Sequence, residues 1–247
     1  MALAASAACD TGVSGVDYGV HGWGRLTARV QPAFDTVPAG LAFQTLPADS
    51  RRIGVFVPRA YDRQTTWPVV LLLHGSYGSG ADMASDFQTY AERAGVVIIA
   101  PSSRADTWDR VAVGYYGPDV EYLDRVLRWT FDHVSADPTR LTIAGFSDGA
   151  TYSLLLGLKN GDLFPRIVAF APCARMPTEP VGSPRIMIAH GTDDQVLPIE
   201  ECSRALVPEL RLRGYSVEFL EYPSAEGDGH FVTPEIAERA FAWIAAR

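Results

Sequence analysis

The chain has 247 residues, 47% hydrophobic and 20% charged, enough for one sizeable core and ordinary for a single α/β domain. Its 29 acidic against 21 basic residues leave a formal net charge of −8, which argues against a nucleic-acid binder, since that needs a basic face, and disfavours an anionic membrane surface. No apolar run reaches the roughly 18–20 residues of a transmembrane helix, and no internal repeat or low-complexity tract occurs.

Residues 1–9 read Met-Ala-Leu-Ala-Ala-Ser-Ala-Ala-Cys, without a basic start and too short for a full secretory signal. They look like the tail of one, with small residues running into a cysteine as at a lipoprotein cleavage site. An export remnant and a plain Ala-rich segment both fit, so residues 1–23 are read as a flexible leader and 24–247 as the domain. Short edge strands are expected at 24–30 and 41–46, and a clearer strand at 51–57, stopped by Pro58. Residues 67–73 form an unbroken apolar run, as expected of a parallel strand covered on both faces, and end in the glycine-rich loop His74-Gly75-Ser76-Tyr77-Gly78.

The alternation continues: helix 84–94, strand 96–101, helix 122–134, strand 141–145, helix 150–158, strands 167–171 and 185–189, helix 200–213, strand 216–222, helix 234–246. Strands alternating with crossover helices predict an open, doubly wound, mostly parallel α/β sheet, whose sites lie at the C-terminal strand ends. The cysteines are Cys9, Cys173 and Cys202, an odd number with no Cys-x-x-Cys pair, so a structural zinc site is not expected. Cys173 and Cys202 are expected as buried free thiols, a bridge between them being the alternative.

Gly145-Phe146-Ser147-Asp148-Gly149 sits between the strand 141–145 and the helix 150–158. A serine on such a turn has an exposed hydroxyl, and the small flanking residues let strand and helix approach. The Asp148 N–H at the helix start suits a developing oxyanion. Ser147 is therefore a candidate nucleophile, and it needs a base oriented by a carboxylate. Of five histidines, His74 and His190 precede glycines at strand ends and read as structural, bonding loop backbone. His21 lies in the irregular N-terminal stretch and His133 near a helix end. His230, on the glycine-rich loop after the last strand, is the candidate base, in the order Ser…Asp…His. The run His190-Gly191-Thr192-Asp193-Asp194-Gln195-Val196-Leu197-Pro198 offers two adjacent carboxylates as the acid, and periodicity does not separate them; the other is expected to cap or turn the loop.

These motifs together resemble the α/β-hydrolase superfamily, and within it small bacterial serine esterases of the phospholipase/carboxylesterase group, related to polyhydroxyalkanoate-depolymerase and feruloyl-esterase-like enzymes. Val57-Pro58-x-x-Tyr61, Leu73-His74-Gly75, Thr107-Trp108-Asp109 and Gly161-Asp162-Leu163-Phe164 also match, and the resemblance runs from Arg51 to the C-terminus. It implies Asp194 as the acid, an acyl-enzyme mechanism, and a second oxyanion N–H from Ser76, with Tyr77 as the alternative. In one departure from many lipases, only residues 173–184 separate the strands 167–171 and 185–189, too short for a helical lid. An open cleft for soluble esters or an exposed polymer ester is therefore expected.

Trp108, Tyr77 and Tyr115, with Tyr116 beside it, are candidates to line a substrate pocket, or else they pack loops onto the sheet. No cofactor or metal is required. The same machinery serves a serine peptidase or a thioesterase, and the fold also occurs in non-catalytic binding proteins.

Overall fold

A computed structural model of the protein describes residues 18–224 and 227–247. The expected leader lies outside the described residues as far as residue 17, as does Cys9; residues 19–23 form a short 3-10 turn.

The elements follow the chain as β1 Gly40–Gln44, β2 Ile53–Val57, β3 Trp67–Leu73, α1 Gly80–Ala94, β4 Val97–Pro101, α2 Asp109–Ala112, α3 Pro118–His133, β5 Ala136–Phe146, α4 Asp148–Lys159, β6 Arg166–Phe170, β7 Arg185–Gly191, α5 Ser203–Leu212, β8 Val217–Tyr222 and α6 Pro234–Ala245. All eight strands join one sheet in the order β1-β2-β4-β3-β5-β6-β7-β8. The pairs β1/β2 and β2/β4 are antiparallel, and every pair from β4 to β8 is parallel. This is the open, mostly parallel sheet that the strand–helix alternation predicts, and the α/β-hydrolase fold that the motif resemblance implies. The order reverses at β3, and that reversal opens a crevice at the strand C-termini.

Helices on both faces bury the central strands completely. One apolar layer joins α3 and α4 to the sheet through Leu71, Ile99, Ile143 and Phe164. The other joins α1 and α6 through Phe87, Ile98, Val168 and Phe241. The helices start where local chemistry stops the preceding loop. Ser79 accepts from the Asp82 N–H at the head of α1, Thr233 caps α6, and Pro118 and Pro234 occupy first-turn positions. Ser79 lengthens α1 by a turn over the expected 84–94.

Two expectations about local structure need correction. Residues 24–30 form no strand, because side chains take the place of a strand partner. Asn160 Oδ1 accepts the Leu26 N–H at 2.9 Å, and Asp124 Oδ1 accepts the N–H groups of Thr27 and Ala28 at 2.7 Å each. The thiols of Cys173 and Cys202 are not free: they form a disulfide with Cα atoms 4.5 Å apart. The loops after the neighbouring parallel strands β6 and β7 emerge side by side, and residues 198–202 turn back through the Glu201 and Cys202 N–H groups onto Pro198 O.

Among the described residues, no helix is long and apolar enough to cross a membrane.

Candidate active site

The turn between β5 and α4 sets Ser147 at φ 56° and ψ −121°, a sparsely populated region for a residue with a side chain. Such a conformation costs about 1–3 kcal/mol and persists only where the surroundings impose it. The surroundings are backbone: a Cβ on Gly145 would lie 2.3 Å from Gly149 O, and one on Gly149 would lie 2.3 Å from Leu73 O. Only glycines at those two positions let α4 start directly above β5 and against β3. The Ser147 N–H is held by Phe170 O at 2.9 Å, so the hydroxyl projects from a fixed backbone.

Three strand ends bring the polar groups together. Ser147 Oγ lies 2.8 Å from His230 Nε2, and His230 Nδ1 lies 2.7 Å from Asp194 Oδ2. Nδ1 faces a carboxylate, so it carries the proton and donates. Nε2 is then free to accept from the serine hydroxyl. The Asp194 carboxylate is buried, and its other oxygen accepts the Val196 N–H at 2.9 Å and the Leu197 N–H at 2.8 Å. Asp193 has the role expected of the second carboxylate. It is exposed, accepts from the Ser224 N–H at 3.1 Å and the Thr192 hydroxyl at 2.8 Å, and these bonds, led by Ser224, lower its pKa.

His190 also reaches the Asp194 carboxylate. It is fully buried, and burial lowers its pKa and keeps it neutral. Its Nε2–H donates to Leu197 O at 2.8 Å and lies 3.2 Å from Asp194 Oδ2, while Nδ1 accepts from the Ser203 hydroxyl at 2.6 Å. The sequence marks His190 as structural, which its bond to Leu197 O bears out, and its place four residues before Asp194 is the sole signal of the second contact. His74 meets the simpler expectation: Nδ1–H donates to Gly75 O at 2.7 Å, and Nε2 accepts the Ser103 N–H at 2.9 Å.

On the opposite side of Ser147, the hydroxyls of Ser76 and Thr107 both donate to Asp148 Oδ2, the latter at 2.8 Å. This carboxylate ties the loop after β3 and the loop after β4 to the head of α4. The Tyr77 N–H is committed to Asp106 O at 2.7 Å, whereas the N–H groups of Ser76 and Asp148 have no acceptor among the described residues. Nothing in the sequence marks Thr107 for this contact.

The aromatic candidates separate. Trp108 does not line the cleft: it is completely buried, stacks on Tyr152, and donates its indole N–H to His74 O at 2.9 Å. It packs the loop onto the sheet instead. Tyr116 is likewise buried, against Tyr152. Tyr77 is 84% exposed, and Tyr115 lines a cavity of about 260 Å³ with Trp23, Arg110 and Met176, a lining that includes neither Ser147 nor His230. The loop carrying Trp108 is held by a buried pair of carboxylates. Asp119 accepts the N–H groups of Arg104 and Asp109, and Asp109 accepts those of Gly117 and Asp119; burial and then the Asp109 charge push the Asp119 carboxyl up to about 6.

A cavity of about 360 Å³ adjoins the His230 ring, between α1 and α6. Among the described residues, no group of three or more His, Cys, Asp or Glu side chains could hold a metal ion. The residues between β6 and β7 carry no helix. The arrangement as a whole can take a proton from a hydroxyl and offer two N–H donors to a nearby anion.

Comparison with known proteins gives a consistent neighbourhood. A family model described as putative esterase matches residues 45–206. The chain is 29% identical over 117 residues to acyl-protein thioesterase 1 of Gibberella zeae, a match covering 43% of this chain and 48% of that protein, so the chain spans about half the length of this curated relative. Among solved structures, fluorophosphonate-binding serine hydrolase F of Staphylococcus aureus superposes with a TM-score of 0.65 at 15% identity, covering 85% of this chain and all of the other. The S-formylglutathione hydrolase of Staphylococcus aureus superposes with a TM-score of 0.64 at 18% identity, covering 85% of this chain and 99% of its own. At these identities the two structures are alike in fold.

Proposed function

This chain belongs to the putative esterase family, and from that premise we propose that it is a carboxylic ester hydrolase working through a Ser147–His230–Asp194 triad and an acyl-enzyme. His230 Nε2 takes the Ser147 proton as Oγ attacks the ester carbonyl, and Asp194 holds the imidazole in the Nδ1–H form and stabilises its cation. The N–H groups of Asp148 and Ser76 receive the oxyanion, where fixed donors stabilise charge that develops only in the transition state. The imidazolium then passes its proton to the departing alcohol oxygen. Water, deprotonated by the same His230, attacks the acyl carbon and releases the acid.

The observation that carries this reading is the unbroken hydrogen-bond chain from Asp194 through His230 to a serine whose backbone is forced into a strained turn. The bonds from Ser76 and Thr107 to the Asp148 carboxylate support a fixed oxyanion site. The helix-free stretch before β7 supports an open cleft.

Ser147→Ala is expected to abolish hydrolysis of p-nitrophenyl acetate while leaving the circular dichroism spectrum and melting temperature unchanged. Retention of more than about 5% of the activity contradicts a nucleophilic serine, whose loss costs up to about 10⁶-fold in such triads. Thioester hydrolysis is a second reading, favoured by the match to a protein named as an acyl-protein thioesterase. A triad does not itself choose the leaving group, and matched ester and thioester substrates rank the two.

A further inference from the structure

The cavity beside His230 has no part in the chemistry above, yet it shares a wall with it. Its lining includes Phe87 and Tyr90 of α1, Phe146 just before the nucleophile, and Phe231 and Val232 just after the base, with the Asp86 carboxylate set in the same wall. The Phe146 and His230 rings lie 4.8 Å apart. The same imidazole that lines this cavity has its Nε2 atom 2.8 Å from Ser147 Oγ.

We infer that this cavity is the subsite for the alcohol half of the ester, and that the alcohol it takes carries one or two aromatic rings. The inference rests on the triad reading, and its sidedness follows from that geometry. In a tetrahedral intermediate the oxyanion points to the Ser76 and Asp148 N–H groups, while the leaving oxygen must lie within hydrogen-bond reach of His230 Nε2, which protonates it. Whatever that oxygen carries leaves the centre on the His230 side. The acyl group occupies the remaining direction.

Size and chemistry set the class. About 360 Å³ is within the range of small-molecule pockets, roughly 300–1,000 Å³, and an apolar cavity of about 150 Å³ already holds one benzene. Four aromatic side chains favour offset-stacked or edge-to-face contact with a ring. Asp86 adds one acceptor for a hydroxyl or amine on that ring. Asp86 is exposed, which places that acceptor at the solvent rim of the cavity, and partial burial and the nearby Asp82 raise its pKa.

The test uses acetate esters of ethanol, benzyl alcohol and 2-naphthylmethanol, which share one acyl group and have alcohols of comparable leaving ability. In the wild-type chain kcat/KM is expected to rise at least tenfold from the ethyl to the naphthylmethyl ester. Val232→Trp, which fills the cavity, and Tyr90→Ala, which removes a wall, are each expected to collapse that ratio. A wild-type chain without the preference overturns the inference, as does an unchanged ratio in both variants. So does a change confined to an acyl-length series of ethyl esters, which assigns the cavity to the acyl chain. If Ser147→Ala retains activity the triad reading itself fails; if Ser147→Ala is inactive and the ratio does not move, only the subsite fails.

Discussion

The dipeptide His-Gly opens the loop after β3 and closes β7, at the C-terminal ends of two buried parallel strands that lie on opposite sides of β5 and Ser147. Both histidines are buried and kept neutral by burial. His74 spends both ring nitrogens on backbone, at Gly75 and Ser103, and so shapes the loop that offers the Ser76 N–H. His190 spends one on Ser203 and the other on Leu197 O beside the Asp194 carboxylate. The same residue thus positions main chain on one side and main chain plus the Asp194 carboxylate on the other, and the difference comes from what each loop carries next. The β7 loop is also stapled by Cys173–Cys202, one residue before Ser203, whereas the β3 loop is held by hydrogen bonds to its neighbours.

The comparison is broken most severely at Asp194. Asp194→Asn leaves His230 in the wrong tautomer to accept from Ser147, and kcat/KM on a p-nitrophenyl ester is expected to fall about 10³–10⁴-fold. Asp193→Asn removes only a loop-capping contact and is expected to stay within about threefold of wild type. The reverse ranking means the wrong carboxylate has been chosen.

Next in size is the staple. Closing a loop with a sequence separation of 29 removes unfolded-state entropy worth about 3–4 kcal/mol. For a chain of this length, reduction or Cys173→Ala is expected to lower the melting temperature by roughly 10 °C. An unchanged melting curve under a thiol reductant shows that the β7 loop does not depend on it.

The smallest effect separates the histidines themselves. His74→Ala and His190→Ala both strand buried hydrogen-bonding partners, so each is expected to cost about 1–3 kcal/mol in denaturant titrations. His190→Ala is also expected to lower kcat by about tenfold with KM nearly unchanged, in line with losing a hydrogen bond near a charged group, and more than His74→Ala, which reaches the site only through loop backbone. Equal kcat losses in the two variants remove the distinction between the loops.

Much of this was legible in the sequence, and the parts that were not share a physical cause. Unbroken apolar runs such as Val69–Leu73 announce strands covered on both faces, and the β-branched run into Gly145 followed by Ala150–Leu158 announces the turn at Ser147. Asp193 and Asp194 have no periodic signature to part them, because their roles depend on which one the loop turns inward. The pairing of Cys173 with Cys202 depends on two loops returning to one place, which spacing along the chain does not encode. Trp108 reads like any loop aromatic, and its place is set by the indole N–H finding His74 O just past the end of β3. Residues 24–30 have strand-like composition, but their N–H groups find Asn160 and Asp124 before any strand. In each case the deciding contact is long-range and made by a side chain.

The central claim is that Ser147 is the nucleophile, and it is tested most directly by reacting the full chain with a fluorophosphonate and mapping the adduct by peptide mass spectrometry. Stoichiometric labelling is expected on the peptide that contains Ser147, and its loss in Ser147→Ala. An absent adduct, or one on another serine with Ser147 unmodified, contradicts it.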